Sequence, residues 1–172
     1  IPAARLVENP VQGIAEALFH IATALPRQRA TDVALVYAQV ARYLRPDFTL
    51  NTLLIGSLQE SRKQYAAANQ IYKTIDVKSP YRWMTRLRIA NNLDAMDQTD
   101  DAIAVLREMA AEDPTRIDAV FKLGGVLRMA EKYTDAVLAY DQAFKQLGDL
   151  KPRHWLFFYN RGIALERSKQ WD

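Results

Sequence analysis

The sequence predicts an all-α array of stacked helix pairs, and three series of residues predict it. Pro46, Pro80 and Pro114 are 34 residues apart. Ala22, Gly56, Ala90 and Gly124 keep the same interval, with Gly162 following after 38. Ala34, Ala68, Ala102 and Ala136 step by 34 as well. A fixed period of this length marks a repeat architecture, in which each unit cannot bury its apolar face alone and must stack on its neighbours.

Within a period the apolar spacing is helical. Ala102, Ile103, Leu106 and Met109, and Ala136, Val137, Tyr140 and Ala143, each follow the stripe of an amphipathic helix. Ile117, Val120, Phe121, Gly124 and Leu127 do the same for the helix before. Asp113-Pro114-Thr115, Lys78-Ser79-Pro80 and Thr99-Asp100-Asp101 carry turn and cap chemistry. Each period therefore holds two helices and a tight turn, and no segment alternates as a strand would. Mid-helix glycines at 56, 124 and 162 each cost roughly 1 kcal/mol of helix propensity, a cost that suits a close approach by a partner helix. Ala68, Ala102 and Ala136 are expected opposite, with Tyr65, Tyr133 or Trp171 filling the space beside the contact. The extra four residues of the fourth period fall between Ala143 and Pro152, where Gln146–Leu150 reads as a lengthened loop.

Composition narrows function. Twenty-three Lys and Arg against 20 Asp and Glu leave +3, too small an excess to argue for nucleic acid. Cys is absent, which removes disulfides, thiolate metal sites and a Cys nucleophile. No apolar run is long enough to span a bilayer. His20 and His154 are the only histidines, and neither has a partner at the spacing of a helical zinc site. His20 reads as a groove or packing residue and His154 as a solvated helix end. Asp100 and Asp101 suit a helix start better than acid–base chemistry, and Gly124-Gly125 lies inside a helix without a phosphate-loop sequence. The chain reads as a non-enzyme without metal or cofactor. Lys78, Arg82, Trp83, Arg86 and Arg88 form a basic, aromatic-containing cluster of the kind that binds single-stranded RNA, but packing at a repeat junction accounts for it equally, and the small net charge favours packing.

With these positions in place the sequence resembles the tetratricopeptide repeat, whose pattern has a small residue at repeat position 8, Ala at 20, an aromatic at 24 and Pro at 32. Position 24 is Ala38, Tyr72, Leu106 and Tyr140. The resemblance implies a right-handed superhelical solenoid with repeats at residues 15–48, 49–82, 83–116 and 117–154, the last with the four-residue insertion. Residues 155–172 would be the first helix of a fifth repeat, and residues 1–14 a lead-in from an upstream segment without a cap-like pattern. The ends read as those of a piece of a longer chain. The stretch Asn9–Glu16 also resembles long multi-repeat exported tetratricopeptide proteins of proteobacteria, which implies the bacterial periplasm or envelope.

In that family, repeat positions 2, 5, 6, 9 and 12 line the concave side. The resemblance thus assigns Phe19 and His20 from the first repeat, Leu50, Leu53 and Leu54 from the second, and Met84, Leu87, Arg88 and Asn91 from the third. Phe121 and Lys122 come from the fourth and Tyr159 from the fifth. The carboxylate clamp of chaperone-binding members is missing, since Leu87 and Leu156 stand where its lysines belong. What remains is a mostly apolar trough with Arg88 and Lys122 at one end, suited to an apolar or amphipathic polypeptide segment. The expected function is a scaffold or adaptor for a protein partner; the alternative is self-association, with the trough filled by flanking segments or by a second copy.

Overall fold

Helix pairs recur along the chain in the order the period requires. The computed structural model describes residues 7–25, 30–148, 151 and 154–169. Among them are α1 (Pro10–Ala24), α2 (Thr31–Leu44), α3 (Thr49–Ser61), α4 (Tyr65–Lys73), α5 (Arg82–Asp94), α6 (Thr99–Glu112), α7 (Ile117–Met129), α8 (Tyr133–Leu147) and α9 (Trp155–Ser168). Every regular element among the described residues is helical, as predicted. Pro152 and Trp171 lie outside the described residues. The chain forms two compact units, residues 1–85 and 86–172, with the division falling inside α5.

The helix starts differ from expectation at two places. The first helix begins at Pro10, inside the stretch read as an uncapped lead-in, because a cap is present: the Asn9 side-chain oxygen accepts a hydrogen bond from the Gln12 amide at 2.9 Å, and Pro10 occupies the first turn. Thr99 is the first residue of α6, not its cap; Asp100 and Asp101 follow in the first turn, where the helix dipole favours them. Asp100 also accepts a hydrogen bond from Lys132 at 2.7 Å, which holds its carboxyl below the usual carboxylate range.

The turns inside the second, third and fourth pairs share one geometry. Lys63, Asp97 and Glu131 all adopt left-handed backbone with φ of 58°, 61° and 60°, and Lys169 repeats it at 59°. The amides of Gln64, Gln98 and Lys132 then reach back to the carbonyls of Gln59, Leu93 and Leu127, each at 2.9 Å. This is the Schellman closure that satisfies the last carbonyls of a helix. Between pairs, carboxylates close two of the turns. Asp76 accepts from the Lys78 amide at 2.7 Å. Asp113 accepts from the Thr115 hydroxyl at 2.6 Å and from its amide at 3.1 Å, and these bonds lower the Asp113 pKa.

Packing within a pair turns on repeat positions 8 and 24. A Cβ built on Gly56 would lie 2.2 Å from the Tyr72 ring, and one on Gly124 would lie 2.7 Å from the Tyr140 ring. Both tyrosines are fully buried. The residues that fill the glycine slots are therefore these two, on the inner face of the second helix, and not Tyr65 or Tyr133 at its start. Where position 8 is Ala, position 24 is smaller than Tyr: Ala22 goes with Ala38 and Ala90 with Leu106, all buried. Burial raises the Tyr140 hydroxyl pKa, with nearby Arg128 acting in the opposite direction.

In the first unit the core gathers Ala22, Ala34, Ala38, Leu54, Ile55 and Leu58, with Phe19, Tyr37 and Ile71 packed against it. In the second it runs from Ala90 and Leu106 through Val120, Leu127 and Tyr140 to Ala164. The four-residue insertion acts differently from the loop expected there. Gln146 and Leu147 continue α8, and the chain then breaks at Gly148, whose φ of 61° and ψ of −121° suit glycine alone.

Candidate functional site

The residues assigned to the trough fall in two groups, one in each unit. In the first unit, Phe19 is half-buried, its ring 5.5 Å from His20 and 4.9 Å from Phe48. Arg45 lies over the Phe48 ring at 5.0 Å and pairs with Glu16 at 3.0 Å, so this aromatic cluster is braced by an ion pair. His20, Leu50 and Met84 are exposed and Leu53 is half-buried. Leu54 is a correction. It is 7% exposed and belongs to the core, because its place on α3 faces the first helix pair beside Ile55 and Leu58.

The second unit holds a formed cavity of about 530 Å³ lined from α5, α7, the end of α8 and α9. Leu87 and Asn91 come from α5, Ile117, Asp118, Phe121 and Lys122 from α7, and Leu147 from the extension of α8. His154 and Phe157 close it at the start of α9. Its floor is aromatic: the Phe121 ring lies 3.9 Å from Phe157 and 5.6 Å from Tyr140, while His154 meets Phe157 edge-on at 6.2 Å. The polar groups sit among these apolar walls. Asp118 is engaged, accepting from Arg116 at 3.0 Å and from the Ala119 amide at 2.9 Å. The His154 Nδ1 accepts from the Lys151 amide at 3.2 Å, which fixes the imidazole at the cavity edge.

Four of the assigned residues, Leu87, Asn91, Phe121 and Lys122, are thus brought together. Arg88 is half-buried and Tyr159 is exposed, its ring 6.2 Å from Trp155; neither lines this cavity. Phe157, His154, Ile117 and Leu147 line it and were not assigned. Phe157 had a signal. It holds repeat position 3, where Asn51, Thr85 and Ala119 are small and buried, so a Phe there marks added bulk. His154 is half-buried in the cavity wall and not a solvated helix end. Leu147 was hidden by reading the insertion as loop.

Among the described residues no group of three or more His, Asp and Glu is placed to hold a metal ion. An apolar, ring-floored cavity with an ammonium and an amide in its wall has the makeup of a binding site. The basic cluster read as an RNA candidate is partly neutralised within the chain, since Arg86, largely buried, pairs with Glu112 and with Glu108 at 3.6 Å. No described helix is long and apolar enough to cross a membrane.

Helix pairs on a 34-residue period, with small residues at the pair contact and a cavity lined chiefly by first helices, define a protein of the tetratricopeptide-repeat fold. Solved structures bear this out. The chain is similar to YrrB, described as a TPR protein with an unusual peptide-binding site, with a TM-score of 0.65 and 15% identity over 95% of this chain and 86% of that one. It is similar to the MamA protein at a TM-score of 0.71 and 18% identity, covering 91% and 83%. MamA 41-end from Desulfovibrio magneticus RS-1 gives 0.71 and 18%, covering 90% and 85%. At these identities the likeness is one of fold. No family profile matches the sequence, and no curated relative does.

Proposed function

We propose that this chain is a non-catalytic scaffold that binds a polypeptide segment through an apolar side chain seated on Phe121 and Phe157. The observation that carries this reading is the cavity of about 530 Å³ in the second unit. Its volume is in the range of concave binding pockets, and aromatic residues, Phe among them, are enriched at the cores of protein interfaces. Lys122 and Asn91 supply a charge and an amide that fix the orientation of the segment. An amphipathic helix or an extended strand with one large apolar anchor and an acidic neighbour matches that layout. The tetratricopeptide fold, shared with a protein described as having a peptide-binding site, supports the same reading.

A displayed random-peptide library selected on the chain tests it. The selected peptides should share an apolar or aromatic anchor and bind at least tenfold more weakly to Phe121→Glu, a loss of about 1.4 kcal/mol or more. Because Phe121 also touches the core, Lys122→Glu serves as the second variant, with the loss confined to peptides carrying an acidic residue. Peptides that bind both variants as tightly as the wild type would place the site elsewhere.

A further inference from the structure

The second helix of the first pair carries an apolar row that stacking of repeats does not cover. Val33, Val36, Val40 and Tyr43 of α2 are 49%, 62%, 43% and 85% exposed. The repeat register supplies a control. Counted 34 residues at a time, the same four places are Ala67, Gln70, Thr74 and Val77 on α4, or just past its end. On α6 they are Asp101, Ala104, Glu108 and Ala111, and on α8 Asp135, Leu138, Gln142 and Lys145. All of these are at least partly exposed, most of them fully, including those with helix pairs on either side. These places therefore face outward in any repeat, and neighbours in the array leave them open. Elsewhere they are polar or small with two exceptions; only α2 makes all four large and apolar, which a solvated face does not require.

We infer that this row is an interface with a second copy of the chain, formed by antiparallel packing of α2 on α2 about a twofold axis. The spacing 33, 36, 40, 43 is the three-four-three step of a two-helix seam, and it reads the same in reverse. An antiparallel copy therefore sets Val36 against Val40 and Val33 against Tyr43, pairing the one large side chain with a small one at each end. No charge lies in the row. Asp32, beside it, is already paired with Arg62 at 3.2 Å and meets Leu44 of the other copy in this register, whereas a parallel copy would oppose two Asp32 carboxylates. The four side chains of the row offer well under the roughly 800 Å² per partner of a standard stable interface. The contact therefore sits at the small, transient end of interface sizes. It is independent of the peptide cavity, which lies in the other unit.

Sedimentation equilibrium between about 5 and 500 µM should show monomer passing to dimer, and Val36→Glu should weaken the dimer at least tenfold with an unchanged circular dichroism spectrum. Since the chain has no cysteine, engineered thiols report geometry directly. Val36→Cys mixed with Val40→Cys should form a disulfide-linked pair under mild oxidation, and Gln70→Cys, at the matching place on α4, should not. Should Val36→Glu fail to fold, the thiol pair decides alone. Wild type that stays monomeric throughout would overturn the inference and assign the row to a different partner. A dimer that survives Val36→Glu, or forms without the 36–40 cross-link, would place the interface on another face.

Discussion

Two glycines show how a single missing methyl sets the geometry of a helix pair. At Gly56 and Gly124 the opposing tyrosine ring occupies the volume where a Cβ would be, so ring and backbone are in direct contact. Two opposed effects act on a substitution here. Alanine would regain about 1 kcal/mol of helix propensity, while displacing a buried ring costs about 1–3 kcal/mol and more where the overlap is deep. At Gly56, with the closer approach, the second effect wins: Gly56→Ala should lower stability by about 1–2 kcal/mol in denaturant titration. Adding Tyr72→Leu, the pairing seen in kind at Ala90 and Leu106, should recover part of that loss, so that the two substitutions are not additive. Gly162 gives the opposite expectation. Nothing lies within 4 Å of its Cβ position, and Gly162→Ala should raise stability by up to about 1 kcal/mol.

At the scale of the helix pair, the turn stores a cost that the chain could lose. Lys63, Asp97 and Glu131 hold a left-handed conformation that costs an ordinary residue roughly 1 kcal/mol or more, whereas glycine adopts it freely. Their side chains are exposed. Glu131→Gly should therefore raise the midpoint of thermal unfolding by a few degrees; an unchanged or lower midpoint would mean that the Schellman closure is not strained by its side chain. These turns also show why some of the structure was hidden in the sequence. The helix pairs were legible because Pro46, Pro80, Pro114 and the small residues at position 8 mark them by identity. The turns repeat just as regularly in backbone, but through Lys63 and Glu131, which carry no turn signature, and Asp97, whose tolerance of left-handed backbone is a weak one. The α8 extension was unreadable for a related reason, since Gly148 so near Pro152 looks like a loop while helix propensity carries Gln146 and Leu147 onward.

For the molecule as a whole, legibility of the candidate site followed how far each position departs from the repeat. The family pattern placed Leu87, Asn91, Phe121 and Lys122, which line the cavity, because these occupy ordinary first-helix positions. It missed Phe157 and Leu147, which owe their place to the fourth repeat's insertion and the unusual bulk after it. It misplaced Leu54, because position 6 of that helix turns inward here. The apolar row on α2 was invisible to any single-helix reading and emerges only when the four second helices are compared place by place.

The glycine slots also make a pair of clocks. A tyrosine ring turns over by half a revolution only when its surroundings dilate, and a ring held against helix backbone has little room to do so. Tyr72 lies in the first compact unit and Tyr140 in the second, so each unit carries one such ring. In aromatic proton spectra both should show slow exchange between the two edges of the ring, where the exposed Tyr43 shows a single averaged set. The two turnover rates then report separately how often each unit breathes, without a label or a substitution.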